Sequence, residues 1–261
     1  MNTKVLLTVA VFLLAAGVAG GAGPQGVRKT MHNLSMEGMQ SGWYPPASYY
    51  TENVETQVCI YCHTPHGSNT EGPLWNRNLP NKSGFQHYSS HTLASAVGSA
   101  TRDVSSESLL CLSCHDGTIA VGSMLNPGVG GVATNSSSYL SRPSALIGGG
   151  TVNGRKNLAD DHPISFSYTA VVAEVGTGLG KLKDISYPRD TKGLKFFGTD
   201  NRVECATCHD PHVNYDPWYD PDQPYSVCMI SECDSTADVN YWPFLRIPDN
   251  GSDLCFSCHD K

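Results

Sequence analysis

The segment CIYCHTPH, residues 59–66, sets the pattern for the whole chain. It joins a C-x-x-C pair to a histidine and, three residues later, to a second histidine. The chain has 10 cysteines, and all but two of them stand in C-x-x-C pairs that are followed at once by histidine. The residues of these four motifs are Cys59, Cys62, His63, Cys111, Cys114, His115, Cys205, Cys208, His209, Cys255, Cys258 and His259. Such regular repetition indicates one chemical role for all four motifs.

The C-x-x-C-H motif is the attachment signature of c-type haem. On one turn of helix, residues i and i+3 share a face, so both sulfurs can reach the two vinyl groups along one porphyrin edge. The adjacent histidine then lies under the iron as its proximal ligand. Zinc ribbons and redox dithiols also use C-x-x-C, but neither explains a histidine after every pair. The sequence therefore predicts four covalent c-type haems, with His63, His115, His209 and His259 as proximal ligands.

An internal repeat selects the distal ligands among the remaining histidines. Each half of the chain has one C-x-x-C-H-x-P-H segment and one histidine upstream of it. The distal candidates are His32, His66, His162 and His212. His66 is too close in sequence to His63 to reach the far face of the same haem, so it is predicted to ligate another one; the alternative is a surface histidine. Methionine could also serve, but no methionine recurs between the halves. His87 and His91 have no counterpart and are predicted to be ordinary exposed histidines.

Residues 1–22 have the layout of a secretory signal peptide, with Lys4, an apolar run and then small residues. An uncleaved anchor is the alternative, but the apolar run is shorter than the about 20 residues that span a bilayer. Export fits covalent haem attachment, which requires the oxidising side of the membrane. The net charge of -7 and the lack of a Lys/Arg cluster argue against a nucleic-acid partner.

The mature chain is rich in Gly, Ser, Pro and Asn and shows little helical or alternating periodicity. We expect a multihaem cytochrome c fold, mostly irregular, with short helices, a few short strands and a core of four stacked haems. A dihaem half at 23–125, a Gly/Ser-rich connection at 126–150 and a dihaem half at 151–261 are expected to form one cooperative unit. Cys228 and Cys233 stand outside the motifs and could form a disulfide.

A family resemblance runs over nearly the whole mature chain. The ordered segments are MHNLS, CIYCHTPH, PLWNR, SLLCLSCHDGTIAVGS, DDHPISFSY, VECATCHDPH and SDLCFSCHDK. This set resembles the tetrahaem secreted cytochromes that polymerise into extracellular conducting filaments, the OmcE-type cytochrome nanowires. The resemblance implies four bis-histidine haems in a continuous series, with one distal histidine supplied by the adjacent subunit. His32, near the mature N-terminus, is expected to be the residue that crosses between subunits.

Bis-histidine iron has no open position for a substrate, so electron transfer is the expected function and no enzymatic activity is predicted. The expected partners are other copies of the chain, upstream outer-membrane or periplasmic cytochromes and extracellular electron acceptors such as metal oxides. One alternative is a monomeric periplasmic electron shuttle. An alternative of another class is a multihaem reductase of nitrite, sulfite or a similar oxyanion, which needs one open iron position.

Overall fold

The computed structural model describes residues 26–30, 32–35, 55–128, 147, 151–213, 241 and 243–261. The expected signal peptide, most of the Gly/Ser-rich connection, and the pair Cys228 and Cys233 lie outside these described residues. Within the described ranges, no helix is both long enough and apolar enough to cross a bilayer.

The helices of the described residues are short, and three of the four α-helices carry an attachment motif. The α-helices are α1 (Ser106–His115), α2 (Tyr168–Val175), α3 (Cys205–Cys208) and α4 (Asp253–Cys258). Shorter 3-10 turns cover Val27–Lys29, Ser95–Val97 and Asn250–Ser252, and one π-helical turn covers Tyr187–Thr191. Helices of this length are not stable by propensity alone, so packing against the rest of the chain must hold them.

The strands are also short and form three small sheets. They are β1 (Phe85–His87), β2 (Thr151–Val152), β3 (Arg155–Leu158), β4 (Phe166–Ser167), β5 (Lys181–Leu182), β6 (Arg202–Val203) and β7 (His259–Asp260). β1 pairs in parallel with β3, and β2 pairs with the other edge of β3 in antiparallel orientation. The antiparallel pairs β4/β6 and β5/β7 complete the set. β7 begins at His259, so this sheet fixes the backbone of a motif histidine.

The two sequence halves share one apolar core. Phe85, Val104, Leu109 and Leu112 of the first half pack with Leu158 of the second half, and all five side chains are buried. The parallel pairing of β1 with β3 crosses the same boundary. Burial of apolar surface is the main stabilising term in folding, so neither half encloses this core alone.

A buried carboxylate ties the attachment helix α3 to α1. Glu204, 1% exposed, accepts hydrogen bonds from the hydroxyls of Ser108 at 2.6 Å and Ser165 at 2.9 Å, and from Arg202 at 3.2 Å. Ser108 in turn accepts from the backbone N–H of Cys205 at 3.0 Å. A buried carboxylate is tolerated only when its oxygens are hydrogen-bonded, so this network fixes the second and third motifs side by side.

The N-terminal described segment docks on the second half. The backbone N–H of Gly26 donates to the carbonyl of His212 at 2.7 Å. Asn33 is fully buried and its side chain donates to the carbonyl of Arg28 at 2.6 Å. The first bond ties the segment to the second half, the second closes the segment on itself, and together they set the position of His32.

Candidate haem-binding sites

Each attachment motif forms a helical turn that leads directly into its histidine. α1 ends at His115, and α3 and α4 each end one residue before the motif histidine. The N–H of His63 donates to the carbonyl of Cys59 at 2.8 Å, and the N–H of His209 donates to that of Cys205 at 3.0 Å. One such turn places both cysteines of a motif on the same side, which is the arrangement that two thioether bonds to one porphyrin edge require.

The four motifs follow one another in space in the order of the sequence. Neighbouring motifs bring cysteine side chains close enough to influence each other's pKa. These pairs are Cys62 with Cys114, Cys111 with Cys205, and Cys208 with Cys258. In a haem-bound protein, the sulfur atoms of these cysteines would be the sulfurs of the haem thioethers. The three cysteine pairs therefore indicate that haems attached here would form an unbroken series.

The chemistry of two buried motif thiols, those of Cys62 and Cys208, does not favour thiol exchange or zinc binding at these positions. All eight are free cysteines, and burial is the main cause that raises the pKa of Cys62 and of Cys208, each to about 12. Thiol exchange and zinc binding need the thiolate, which such burial disfavours. Within the described residues, no group of three or more cysteine, histidine or acidic side chains is arranged to hold a metal ion.

Three of the four motif histidines face another of the predicted ligand histidines. The ring centroids of His115 and His32 are 6.1 Å apart, those of His63 and His212 are 6.4 Å apart, and those of His259 and His162 are 6.5 Å apart. In each pair one partner is a motif histidine and the other belongs to the distal set. The sequence repeat predicted both sets but not which members pair.

These separations fit one metal between each pair of imidazoles. Such a metal lies about 3 Å from each ring centre, the sum of a bond of about 2.0 Å to nitrogen and the distance from that nitrogen to the centre of the ring. The two centroids should therefore be about 6 Å apart. Rotation about the axis through the metal leaves this distance unchanged, so the different interplanar angles of 66°, 16° and 76° are all compatible with it.

Backbone carbonyls orient several of these rings. The Nδ1 atoms of His63 and His209 each lie 2.8 Å from a proline carbonyl, that of Pro73 and Pro243 respectively. His162 makes the same kind of contact, at 2.8 Å, with the carbonyl of its own neighbour in sequence. A metal-bound histidine usually donates its other ring N–H to such a group, which fixes its tautomer. Nε2 is then the nitrogen left for iron.

His212 is oriented by a carboxylate instead. Its Nδ1 lies 2.9 Å from Oδ1 of Asp210, and the other carboxylate oxygen accepts from Nη1 of Arg246 at 2.8 Å. Burial would raise the pKa of Asp210, but hydrogen bonds from His212 and the charge of Arg246 hold it at about 2. The carboxylate is therefore ionised at every physiological pH.

His32 is held as a neutral imidazole. Burial, followed by the influence of His115, His212 and His209, lowers the pKa of His32 to about 3. Its ring packs on Phe244 at 4.2 Å between centroids, and its buried Nδ1 has no hydrogen-bond partner. A neutral, enclosed ring with an unsatisfied nitrogen has the character of a metal ligand.

Two predicted ligands, His66 and His209, have no ring partner among the described residues. Both side chains are exposed. The ring of His209 has the contact with the carbonyl of Pro243, whereas His66 takes part only through its backbone carbonyl, which accepts from Thr64 at 3.0 Å and from Asn126 at 2.9 Å. Among the residues that the structure describes, the motif histidine His209 thus has no distal ligand opposite it.

The prediction that His87 is an exposed histidine is wrong. His87 is 1% exposed, lies in β1, and its Nε2 is 3.1 Å from the carbonyl of Arg102. It was misjudged because the surrounding serines suggest a polar loop, whereas Phe85 and His87 alternate inward on a strand. His91 is exposed, as predicted.

Sequence reasoning missed a second copy of the segment PLWNR. Trp75 forms a backbone bridge with His63, and Leu245 forms the same bridge with His209. Thus PFLRI (243–247) corresponds to PLWNR (73–77), and the two prolines are the ones that bind the motif histidines. The only sequence signal was a proline followed by an apolar residue, at a very different distance from the motif in each half.

Comparison of the chain with models of known protein families and with curated proteins found no match.

Proposed function

We propose that this protein binds four covalent c-type haems and transfers electrons along them, as the subunit of an extracellular filament. The observation that carries the proposal is the placement of three motif histidines opposite three distal candidates at 6.1, 6.4 and 6.5 Å. When bound, haem supplies one-electron iron chemistry whose potential depends on axial ligands, hydrogen bonds and burial. Iron held by imidazole on both sides leaves no position for a substrate.

In this proposal the chain itself does three things. Its motif turns are lined up from the first to the fourth, which sets the order of the electron carriers. Its carbonyl and carboxylate groups hold the rings of His63, His209, His162 and His212 in fixed orientations. Its buried network around Glu204 holds the second and third motifs side by side, which fixes the spacing between two carriers.

The incomplete pair at His209 supports assembly of the chain with copies of itself. His32 was expected to cross between subunits, but it already lies against His115 of the same chain. We therefore assign the crossing role to His66, which is the one distal candidate left without a partner ring. Its exposure makes it available to His209 of a neighbouring subunit.

The internal repeat gives this junction a geometry. Within the chain, three of the contacts between the first half and the second join equivalent motif elements, namely His63 with His212, Cys111 with Cys205, and His32 with Phe244. If the second half met the first half of the next subunit in the same way, the corresponding pairs would be His209 with His66, Cys255 with Cys59, and His162 with Leu74. All six of these residues are exposed in the single chain.

This correspondence explains an otherwise costly apolar surface. Leu74 is 53% exposed, whereas its counterpart Phe244 covers His32. Leu74 in the next subunit would cover His162, which has the same place in the second half as His32 in the first. Head-to-tail contacts of this kind generate an open filament when the rotation between successive subunits does not close a ring, and this is the arrangement proposed here. The filament would accept electrons from outer-membrane or periplasmic cytochromes and deliver them to extracellular acceptors.

Replacement of His66 tests the proposal. The secreted wild-type protein should contain four haems per chain, form filaments in electron microscopy and show only low-spin ferric iron by electron paramagnetic resonance. H66A should keep four haems but lose filaments and gain one high-spin iron, since His209 then has no distal ligand. H91A, at an exposed histidine without a ligand role, is the matched control and should behave as the wild type. Fewer than four haems in the wild type would overturn the proposal.

The unpaired His209 also favours one alternative of another class, a multihaem oxyanion reductase with an open haem. This alternative predicts a monomer whose high-spin iron binds nitrite or sulfite. It also predicts that the H66A substitution leaves the oligomeric state and the spin state unchanged. Particles that stay monomeric and bind these anions at one haem would establish it in place of the filament.

A further inference from the structure

The two histidines that follow a proline in the C-x-x-C-H-x-P-H segments have different hydrogen-bond partners. In the second half, Asp210 accepts from the Nδ1–H of His212 at 2.9 Å and from its backbone N–H at 3.0 Å. In the first half Thr64 has the position of Asp210, and its hydroxyl donates to the carbonyl of His66 rather than to the ring. The spacing is identical, and one side chain differs.

Asp210 is built into the fold as a fixed carboxylate. It is 8% exposed, and its second oxygen is held by Arg246, whose Nε donates to the carbonyl of Ala206 at 2.6 Å. The backbone N–H of Asp210 donates to the carbonyl of Phe244 at 2.7 Å. The carboxylate therefore cannot turn away from His212 without breaking several bonds.

The surroundings of the two motif histidines, His63 and His209, are closely similar, so they do not account for a difference between the two sites. His63 and His209 each place Nδ1 at 2.8 Å from a proline carbonyl. A basic side chain also lies near the second cysteine of both motifs, Arg77 near Cys62 and Arg246 near Cys208. The hydrogen bond on the distal ring is thus the main local difference between these two sites.

A carboxylate that accepts the ring N–H of a metal-bound histidine makes that histidine a stronger electron donor. Stronger donation and nearby negative charge favour ferric over ferrous iron and so lower the reduction potential. We propose that Asp210 is a positioning residue that lowers the reduction potential of the haem held between His63 and His212, and that Thr64 leaves the haem completed by His66 without this effect. The inference rests on the proposed function.

The near-parallel rings of His63 and His212 provide a spectroscopic label. Their planes differ by 16°, against 66° and 76° for the other two pairs. Because the relative orientation of the two planes splits the iron d orbitals, near-parallel ligands give a rhombic low-spin signal, distinct from that of near-perpendicular ligands. Potentiometric titration followed by electron paramagnetic resonance can therefore report on this haem separately.

D210N should raise the potential of the rhombic haem and leave the near-perpendicular haems almost unchanged. We expect the equilibrium constant for its reduction to rise about tenfold, which for one electron is about 59 mV. The converse variant T64D should lower the potential of the haem that depends on His66, measured in filaments. D103N is the control, since Asp103 pairs with Lys82 on the surface and its loss changes the net charge equally.

Two results would overturn the inference. A shift in D210N no larger than in D103N, or spread over all haems, would show only an effect of net charge. A high-spin iron in D210N, together with an unchanged potential in T64D, would show that Asp210 merely keeps His212 in place. Neither result touches the proposed function, which fails instead if the wild type lacks four haems or low-spin iron.

Discussion

The segment 59–77 of the first half and the segments 205–213 and 243–247 of the second use one backbone frame with different charges. In both, a residue of the proline segment bridges the motif histidine, and the apolar residue after the proline has a left-handed backbone, with φ of 57° at Leu74 and 59° at Phe244. The first half has an arginine, Arg77, where the second has Ile247. The shared part is what orients an imidazole, and the variable part is what sets the electrostatic surroundings.

The left-handed residues show how strongly the frame is specified. An apolar residue with positive φ costs about 1 kcal/mol or more relative to the right-handed region. The strain recurs at the same place because the carbonyl of the preceding proline must turn toward Nδ1 of the motif histidine. Local backbone preference is overridden at a functional position in both halves.

Removal of Arg77 should have the largest effect on stability. Arg77 is fully buried and donates to the carbonyls of Val121, Ala120 at 2.7 Å and Ser113 at 3.3 Å. R77I makes this position resemble the second half but removes a donor from three buried carbonyls, of which that of Ala120 keeps the N–H of Ser123 at 2.9 Å. We therefore expect a loss of about 3 to 5 kcal/mol.

Denaturant unfolding followed by circular dichroism measures this loss. R189I, at an arginine that is 44% exposed, is the control and should change stability by less than about 0.5 kcal/mol. An R77I protein as stable as the wild type would mean that the two halves are interchangeable at this position.

Acid should weaken the first half through His87, which has no counterpart in the second. Burial is the main cause that lowers the pKa of His87 to about 4, from its usual 6.5. Since the unfolded chain takes up the proton first, the contribution to stability is complete above pH 6.5 and is lost as the pH falls toward 4. The loss should be on the order of 3 kcal/mol.

H87Q keeps a side-chain donor toward the carbonyl of Arg102 but does not titrate. The free energy of unfolding of H87Q should therefore vary less between pH 6.5 and pH 4 than that of the wild type, while H91Q should follow the wild type. Parallel curves for H87Q and the wild type would assign the acid sensitivity to other groups.

Glycine at the two left-handed positions should have opposite effects of about 1 kcal/mol each. L74G relieves backbone strain at a side chain that is half exposed in the single chain, so it should raise the thermal stability of the subunit. F244G relieves the same strain but removes the ring that packs on His32, so it should lower that stability. Differential scanning calorimetry of both variants tests this contrast. Changes in thermal stability of the same sign in L74G and F244G would show that the two residues have the same role.

The sequence predicts the types and the number of the candidate ligands because the C-x-x-C-H motif has a strict local spacing. It did not predict the pairs, since His63 and His212 lie 149 positions apart and meet only through the fold. The chain between 214 and 240 separates Pro243 from the motif at His209, whereas Pro73 follows its motif closely. This difference hid the repeated frame.

Side-chain environment was the other limit of sequence reasoning. The residues around His87 in the sequence do not indicate that its strand, β1, pairs in parallel with β3 of the second half. The carboxylate on His212 could have been suspected from the exchange of Thr64 for Asp210, but the supporting Arg246 comes from another segment. Long-range partners, rather than local propensity, decided each of these outcomes.

The hydrogen bond from Gly26 to the carbonyl of His212 constrains the order in which parts of the chain can fold. In the proposed export the chain crosses the membrane N-terminus first, so His32 emerges early, yet the segment that carries it can dock only after residue 212 has also crossed. In the proposed holoprotein, the second porphyrin to be attached would therefore be among the last to acquire both of its axial ligands.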